Sequence, residues 1–314
     1  MADERRVKVQ ELEAFIGRAF QTQGLPAQDV ETIARLMAQA DLQGSDGHGV
    51  IRLGQYIKRI QAGGINTQPA IRIDQERAGT ALVNGDNAMG HLVVSRAVEI
   101  AATKARTTGI AWVGTCMSNH AGPASLYVRA LAEQDLVGIY YAVGNANHLP
   151  PWGGMDMLLS TNPIAMAFPK GHTENMIVLD MATTVAAYGK IKAKARKGEM
   201  MPEGWMIDRQ GQPLLDPKRA ADGFLLPIGG PQRLRAGLVG GFVGWQPQWR
   251  GLGPGSHRLQ CRQQNRHQHR TSGLRHRPQC LWRHGCIASA HRPAGSRNSR
   301  QHKAAQHRAN LATR

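Results

Sequence analysis

The feature that most constrains this chain is a break in composition near residue 232. Beyond Asp222 there is no aspartate or glutamate, and residues 233–314 hold 16 of the 39 lysines and arginines, eight of the 13 histidines and three of the four cysteines. The first 232 residues are nearly neutral, with 23 basic against 22 acidic side chains, so the formal charge of +17 resides almost wholly in the tail. A segment rich in Arg, His, Gln, Gly and Pro, with no sustained apolar period, is expected to bury no core and to be disordered or misfolded. The packed fold is therefore expected within residues 1–232, enough chain for one large or two ordinary domains.

Taken at face value, such a tail would hold nucleic acid by neutralising phosphates, which makes a basic nucleic-acid-binding protein the alternative function. Cys261, Cys280, Cys286, His284 and His291 are metal-ligand types. No Cys-x2-Cys pair occurs among them and their spacing matches no common zinc module, so no metal is expected. Met1 to Arg6 lead into a mixed helix pattern with no signal peptide in view, and no apolar run is long enough for a bilayer. The expected location is the cytoplasm.

Within the neutral region, apolar spacing predicts a helix over 7–23, with Leu12, Phe15, Ile16 and Phe20 on one face, and another over 26–40, with Val30, Ile33, Leu36 and Met37. Pro26 suits the first position of the second. Residues 70–73 and 80–83 are short strand candidates, Asn84 to Asn87 reads as a break, and a long helix is expected from about His91 to Thr107. Further strands are expected at 109–113, 136–142, 163–169 and 176–180, and helices at 122–133 and 185–195. Ser118 to Ala124 then lies where a strand hands over to a helix. The free N–H groups and dipole of such a junction suit a phosphate, with Gly122 permitting close approach and Pro123 at a first helical position. No Gly-x-Gly-x-x-Gly follows a strand in residues 1–232, which argues against a standard dinucleotide fold. Asp180 follows apolar Ile177-Val178-Leu179, where a carboxylate binds a ribose hydroxyl or caps the next helix, and Lys190 falls on a helix that is otherwise solvated.

The stretch richest in chemistry is Asp41-Leu42-Gln43-Gly44-Ser45-Asp46-Gly47-His48-Gly49-Val50-Ile51-Arg52-Leu53. Ser45, Asp46 and Gly47 are turn and N-cap types, and Val50, Ile51, Leu53, Tyr56, Ile57 and Ile60 give residues 49–62 an amphipathic helical pattern. His48 and Arg52, four apart, would share one face. An imidazole at a helix entrance favours its neutral, proton-accepting form, and a guanidinium grips a carboxylate through two parallel hydrogen bonds. A substrate with a hydroxyl or carbonyl beside a carboxylate needs both. By itself the stretch also fits a capping histidine and an arginine on a solvated face.

Asp41 to Leu53 resembles the signature of the malate/L-lactate/ureidoglycolate dehydrogenase family, nicotinamide-dependent oxidoreductases distinct from the Rossmann-fold lactate dehydrogenases. Three later stretches resemble it in order: Ser118 to Ala124 (Ser-Asn-His-Ala-Gly-Pro-Ala), Pro151-Trp152-Gly153-Gly154 leading to Ser160-Thr161-Asn162-Pro163, and Val178 to Thr184 running on to Gly189-Lys190-Ile191. The resemblance implies an α/β fold of the family's own sulfolactate/malate dehydrogenase-like, non-Rossmann type. It would comprise an N-terminal helical substrate domain, about 1–65, and a nicotinamide-binding sheet domain, about 66–232, assembled as a homodimer. It further implies that His48 exchanges the substrate proton while hydride moves to or from NAD or NADP, and that Arg52 and Thr161 contact a small 2-hydroxy or 2-oxo acid. His120, Ala121, Gly122, Pro123 and Ala124, with Asp180, Met181 and Ala182, would contact the cofactor.

The chain departs from the family pattern at three places. Gly47 stands where many relatives have serine before the histidine, and Lys190 stands where the branch that reduces cyclic ketimines has an aspartate. Both point to a 2-oxo acid/2-hydroxy acid pair, with Lys190 adding positive charge for a dicarboxylate such as malate. The third is the tail. Gln232 falls at a family lysine that contacts cofactor, and relatives continue with Gly-Tyr-Gly-Leu-Ala, Asp-Phe-Asn and Thr-Asn-Thr-Gly-Gln. Read one base later with permitted codons, Arg233 to Gly237 give Gly-Tyr-Gly-Leu-Ala, residues 253–262 include Asp-Phe-Asn, and His267 to Gly273 give Thr-Asn-Thr-Gly-Gln-Ala. Residues 233–314 are accordingly expected to be an out-of-frame translation, and the chain as written to be inactive or incompletely folded.

Overall fold

The computed structural model describes residues 6–144, 147–151, 154–172, 174–229 and 282–290. Helices α1 (Val9–Gln21) and α2 (Ala27–Leu42) pair through Ile16, Phe20, Ile33 and Met37, the apolar stripes visible in the sequence. Pro26 is the N-cap of α2 and stands one position before its first turn, where its φ of −59° serves as well. The amphipathic stretch after Gly49 begins as a 3-10 turn, Val50–Arg52, and becomes α3 only at Leu53–Gln61. His48 therefore precedes the helix instead of riding on it. α3 closes the helical core by inserting Leu53 and Tyr56.

The chain then enters a seven-stranded sheet. β1 (Arg72–Glu76) and β2 (Thr80–Ala88) form an antiparallel pair, and α4 (Gly90–Thr108) crosses over to β3 (Ile110–Ser118), which runs parallel to β2. A crossover helix is what a parallel neighbour requires. α5 (Ser125–Ala132) returns the chain to β4 (Leu136–Ala142), followed by β5 (Ile164–Phe168) and β6 (Ile177–Met181), all antiparallel to their neighbours. The strand order is β1-β2-β3-β9-β4-β5-β6. With a single parallel pair among the described strands, this is not the parallel sheet of a standard dinucleotide fold. Val93, Ala97 and Ala101 of α4 and Val128 and Leu131 of α5 build the core against the strands.

Three boundaries depart from the sequence pattern for physical reasons. Asn84 to Asn87 does not break the chain: β2 runs through it, with Asp86 and Asn87 at φ 48° and 60° and the register with β3 slipping between Asn84 and Ala88. α5 begins at Ser125, so Gly122 and Pro123 belong to the turn before it. α6 (Tyr188–Lys197) starts three residues later than expected, because the Val185 N–H bonds to Leu226 O. α6 packs with a small antiparallel pair, β7 (Met206–Asp208) and β8 (Gly223–Leu225), around Leu149, Ile191, Met206 and Leu225.

One part of the tail contributes to the sheet, against the expectation that none would. β9 (Trp282–Ala290) lies between β3 and β4 and is antiparallel to both. Gly285-Cys286-Ile287-Ala288-Ser289-Ala290 is an uncharged run within the basic tail, and the slot between β3 and β4 offers hydrogen bonds on both edges. The readings of 233–314 as disordered, as out of frame or as a nucleic-acid arm otherwise fall outside the described residues, as do Trp152, Gly153, Gln232, Cys261, Cys280 and His291. No helix among the described residues is long and apolar enough to cross a membrane.

Candidate active site

The helical core and the sheet core meet at two histidines. His48 is placed by Asp41, near the end of α2, whose Oδ2 accepts from the Val50 N–H at 2.8 Å and so folds residues 43–49 into a tight loop. Within it, the Ser45 N–H donates to Ala40 O at 2.9 Å and the His48 N–H to Ser45 O at 2.8 Å. A Cβ at Gly49 would fall 1.9 Å from Asp41 Oδ1 and would push aside the carboxylate that ties the loop. Burial pushes the Asp41 carboxyl upward, and the Val50 N–H opposes that shift.

His120 is placed from the sheet side. At the end of β3, the Asn119 side chain donates to Ala88 O at 2.9 Å and to Asn87 O at 2.8 Å. The start of α4 presses on this turn so closely that a Cβ on Gly90 would lie 2.2 Å from Asn119 O. Beyond His120, the Tyr127 hydroxyl donates to Ala121 O, and Gly122 turns the chain at φ 77°. The two imidazoles stack with their planes 6° apart and His48 Nδ1 3.3 Å from His120 Nε2.

The roles of the four nitrogens follow from a fixed donor. The Gly122 N–H points at His120 Nδ1 at 3.3 Å and can only donate, so Nδ1 carries a lone pair. A neutral ring accepting at Nδ1 would carry its hydrogen on Nε2, toward His48 Nδ1. Burial, with the Arg52 cation adding to it, lowers the pKa of His48 to about 4. Arg52 reaches back to Gly47 O through Nε at 2.7 Å and to Gln55 through its terminal nitrogen at 2.9 Å, which aims the guanidinium beside His48 although no helix links them.

Two members of the cluster were not singled out by the sequence. Tyr56 reads as one more apolar position of α3, yet its hydroxyl lies 2.5 Å from His120 Nδ1. His91, in the first turn of α4, is completely buried, meets the Tyr56 ring edge-on at 5.8 Å, and has no hydrogen-bond partner among the described residues for either ring nitrogen. Burial and the nearby His48 lower its pKa to about 3, so it is neutral. Neither had a local signal, since the partner of Tyr56 lies 64 residues away.

The other sequence candidates divide. Asp180, near the end of β6, is exposed as a residue, but its carboxylate turns back to the start of α5 and accepts from the Ser125 N–H at 2.7 Å. It caps the helix before it in sequence, not the one after. The junction expected to offer free N–H groups to a phosphate thus already holds a carboxylate. Burial raises the Asp180 pKa and the Ser125 N–H lowers it. Ala121, Pro123 and Ala124 are buried in the turn, while Met181 and Ala182 are half-buried beyond Asp180. Thr161 is tied to this strand end, its carbonyl accepting from the Thr183 N–H at 2.8 Å and the Thr183 hydroxyl at 3.0 Å. Lys190 is exposed on α6 and its side chain bonds to none of these residues. Among the described residues no cluster of His, Cys, Asp and Glu is arranged to hold a metal.

This architecture is shared with the sulfolactate dehydrogenase of Methanocaldococcus jannaschii, which superposes with a TM-score of 0.73 at 29% identity, over 97% of this chain and 83% of that one. Residues 7–251 match the family model described as malate/L-lactate dehydrogenase, and the chain belongs to that family. It is 40% identical over 238 residues to a malate dehydrogenase of Pyrococcus abyssi and 34% identical over 209 residues to an NAD(+) ureidoglycolate dehydrogenase of Escherichia coli O157:H7. These matches take in 75% and 67% of this chain but only 64% and 59% of the relatives, less than two-thirds of either.

Proposed function

We propose that the chain is an NAD(P)-dependent dehydrogenase of the malate or L-lactate type, interconverting a 2-hydroxy acid and a 2-oxo acid in the cytoplasm as a homodimer. The observation that carries this reading is the contact between His48 Nδ1 and His120 Nε2. One nitrogen accepts and the other donates, which is the complement a substrate hydroxyl needs. An oxygen admitted between the rings would give its proton to His48 Nδ1 and accept from the His120 Nε2–H as it becomes a carbonyl. The bound nicotinamide would take hydride from C2, or return it. Arg52 beside His48 is a forked cation for the substrate carboxylate.

The residues present suit such a cofactor. Asp180 Oδ2 already accepts from the Ser125 N–H, so a ribose hydroxyl would have to share this carboxylate with the start of α5, and small Ala121, Gly122 and Ala124 would allow close approach to the turn. Residues 120–124 and 180–182 would hold it, while Thr161 and Lys190 are assigned to the substrate.

Nicotinamide absorbance, followed with malate, lactate and sulfolactate and with NAD or NADP in turn, tests the proposal on the chain with its reading frame restored after residue 232. Turnover with one hydroxy acid is expected, and a His48→Ala variant should lose about 10²- to 10⁴-fold of it. Because His48 must be neutral to accept a proton, oxidation is expected to persist to mildly acid pH and to fall through about pH 4. No turnover with any pair, or full turnover without the imidazole, would overturn the assignment.

A further inference from the structure

We propose that Tyr56 is a positioning residue: by donating its hydroxyl to His120 Nδ1, it holds the neutral ring in the tautomer whose Nε2–H faces His48. The inference deepens the dehydrogenase reading and rests on it for its catalytic meaning. Two donors address the same nitrogen, and they are unequal. The Gly122 N–H stands off at 3.3 Å, at the long end for such a bond, whereas the Tyr56 oxygen approaches to 2.5 Å. The backbone group fixes which partner must donate, and the phenol supplies the strong bond.

Tyr56 is built to keep this geometry. It is 3% exposed, and its ring is bounded by Phe20 of α1, His91 of α4 and His120 at centroid distances of 6.5, 5.8 and 6.0 Å. Such packing fixes the ring, and its hydroxyl meets His120 Nδ1. The titratable and charged groups around it are Arg52 at the start of its own helix, His48 on the loop, His91 on α4 and His120 on the turn after β3. Burial pushes the phenol well above its ordinary range despite Arg52, so Tyr56 remains a donor at every working pH. A helix that otherwise serves the N-terminal core thereby reaches across to set a proton on the sheet side. The tautomer matters because the alternative ring, with hydrogen on Nδ1, would turn a lone pair toward His48 and leave no donor for the forming carbonyl.

The test is the tautomer itself, read from two-bond proton–nitrogen correlations of the full chain labelled with ¹⁵N-histidine at neutral pH, with His120→Gln identifying the His120 signals. The wild-type His120 should show a protonated Nε2 and an unprotonated, hydrogen-bonded Nδ1. In Tyr56→Phe the Nδ1 signal should shift toward that of a ring without the phenol, and turnover should fall about 10- to 100-fold with little change in KM for the hydroxy acid. Hydrogen on Nδ1 in the wild type overturns the proposal, as does a Phe variant with unchanged His120 signals and unchanged turnover. If the variant does not fold, the wild-type spectrum decides alone. The spectrum needs neither substrate nor cofactor, so the expected tautomer together with no turnover from the frame-restored chain would remove the dehydrogenase reading and leave the phenol's hold on the ring intact.

Discussion

The loop that carries His48 and the turn that carries His120 solve the same problem with unequal means. The loop lies between two helices and is held by its own sequence neighbours: Asp41 accepts from the Val50 N–H, Ser45 donates to Ala40 O, His48 to Ser45 O and Arg52 to Gly47 O. The turn is gripped from several sides: Asn119 bonds to the end of β2, the start of α4 packs against its backbone, Tyr127 bonds Ala121, Tyr56 bonds the imidazole, and Asp180 bonds the following helix. The difference teaches that the two partners are fixed over different spans of sequence. A donor held from distant elements on the sheet side defines where the substrate oxygen sits, while the imidazole opposite it rides on a loop held by its own sequence neighbours.

The comparison breaks most completely at Gly90. A methyl there would meet Asn119 O at 2.2 Å and the His120 carbonyl carbon at 2.7 Å, all backbone that cannot rotate aside. Gly90→Ala should therefore cost about 3 kcal/mol or more of stability, read as a shift of the urea midpoint, and should abolish activity by separating α4 from the turn. If the variant unfolds at the wild-type midpoint, the turn is not held from α4 and the contrast between the two supports is lost.

Asp41 probes the more local support. Removing its side chain deletes one bond to a charged group on a half-exposed loop, and Asp41→Ala is expected to cost about 1 to 2 kcal/mol. The sharper expectation is a dissociation of effects. Turnover should fall more than global stability does, because the loop can loosen while α1, α2 and the sheet stay folded. Equal losses in both, measured as unfolding free energy against kcat, would mean that the loop is no more local than the turn.

How far the sequence reveals this arrangement depends on the span of each contact. β4 is found at the predicted residues because its alternating burial is a local pattern, and α1, α2 and α4 lie close to their expected bounds for the same reason. His48, Arg52 and His120 are legible from family-like stretches, and the structure brings them together. Tyr56 is hidden because its partner is 64 residues away and its ring doubles as core. The cap formed by Asp180 spans 55 residues, so local reading assigns the carboxylate to the wrong helix. β9 escapes because its strand pattern is short and charge on either side of it dominates any window.

The smallest effect is expected at Asp180, and its sign is informative. An asparagine keeps an oxygen that accepts from the Ser125 N–H, so Asp180→Asn should change stability near neutral pH by no more than about 1 kcal/mol. Burial raises the folded-state pKa of Asp180 above its unfolded value, so the folded chain binds the proton more readily. The contribution of the wild-type side chain is then most favourable below the unfolded value and declines as pH rises through the folded one. The wild type should accordingly gain stability relative to the variant on acidification through that window. The opposite trend, with the variant gaining as pH falls, would show that the cap owes its hold to charge.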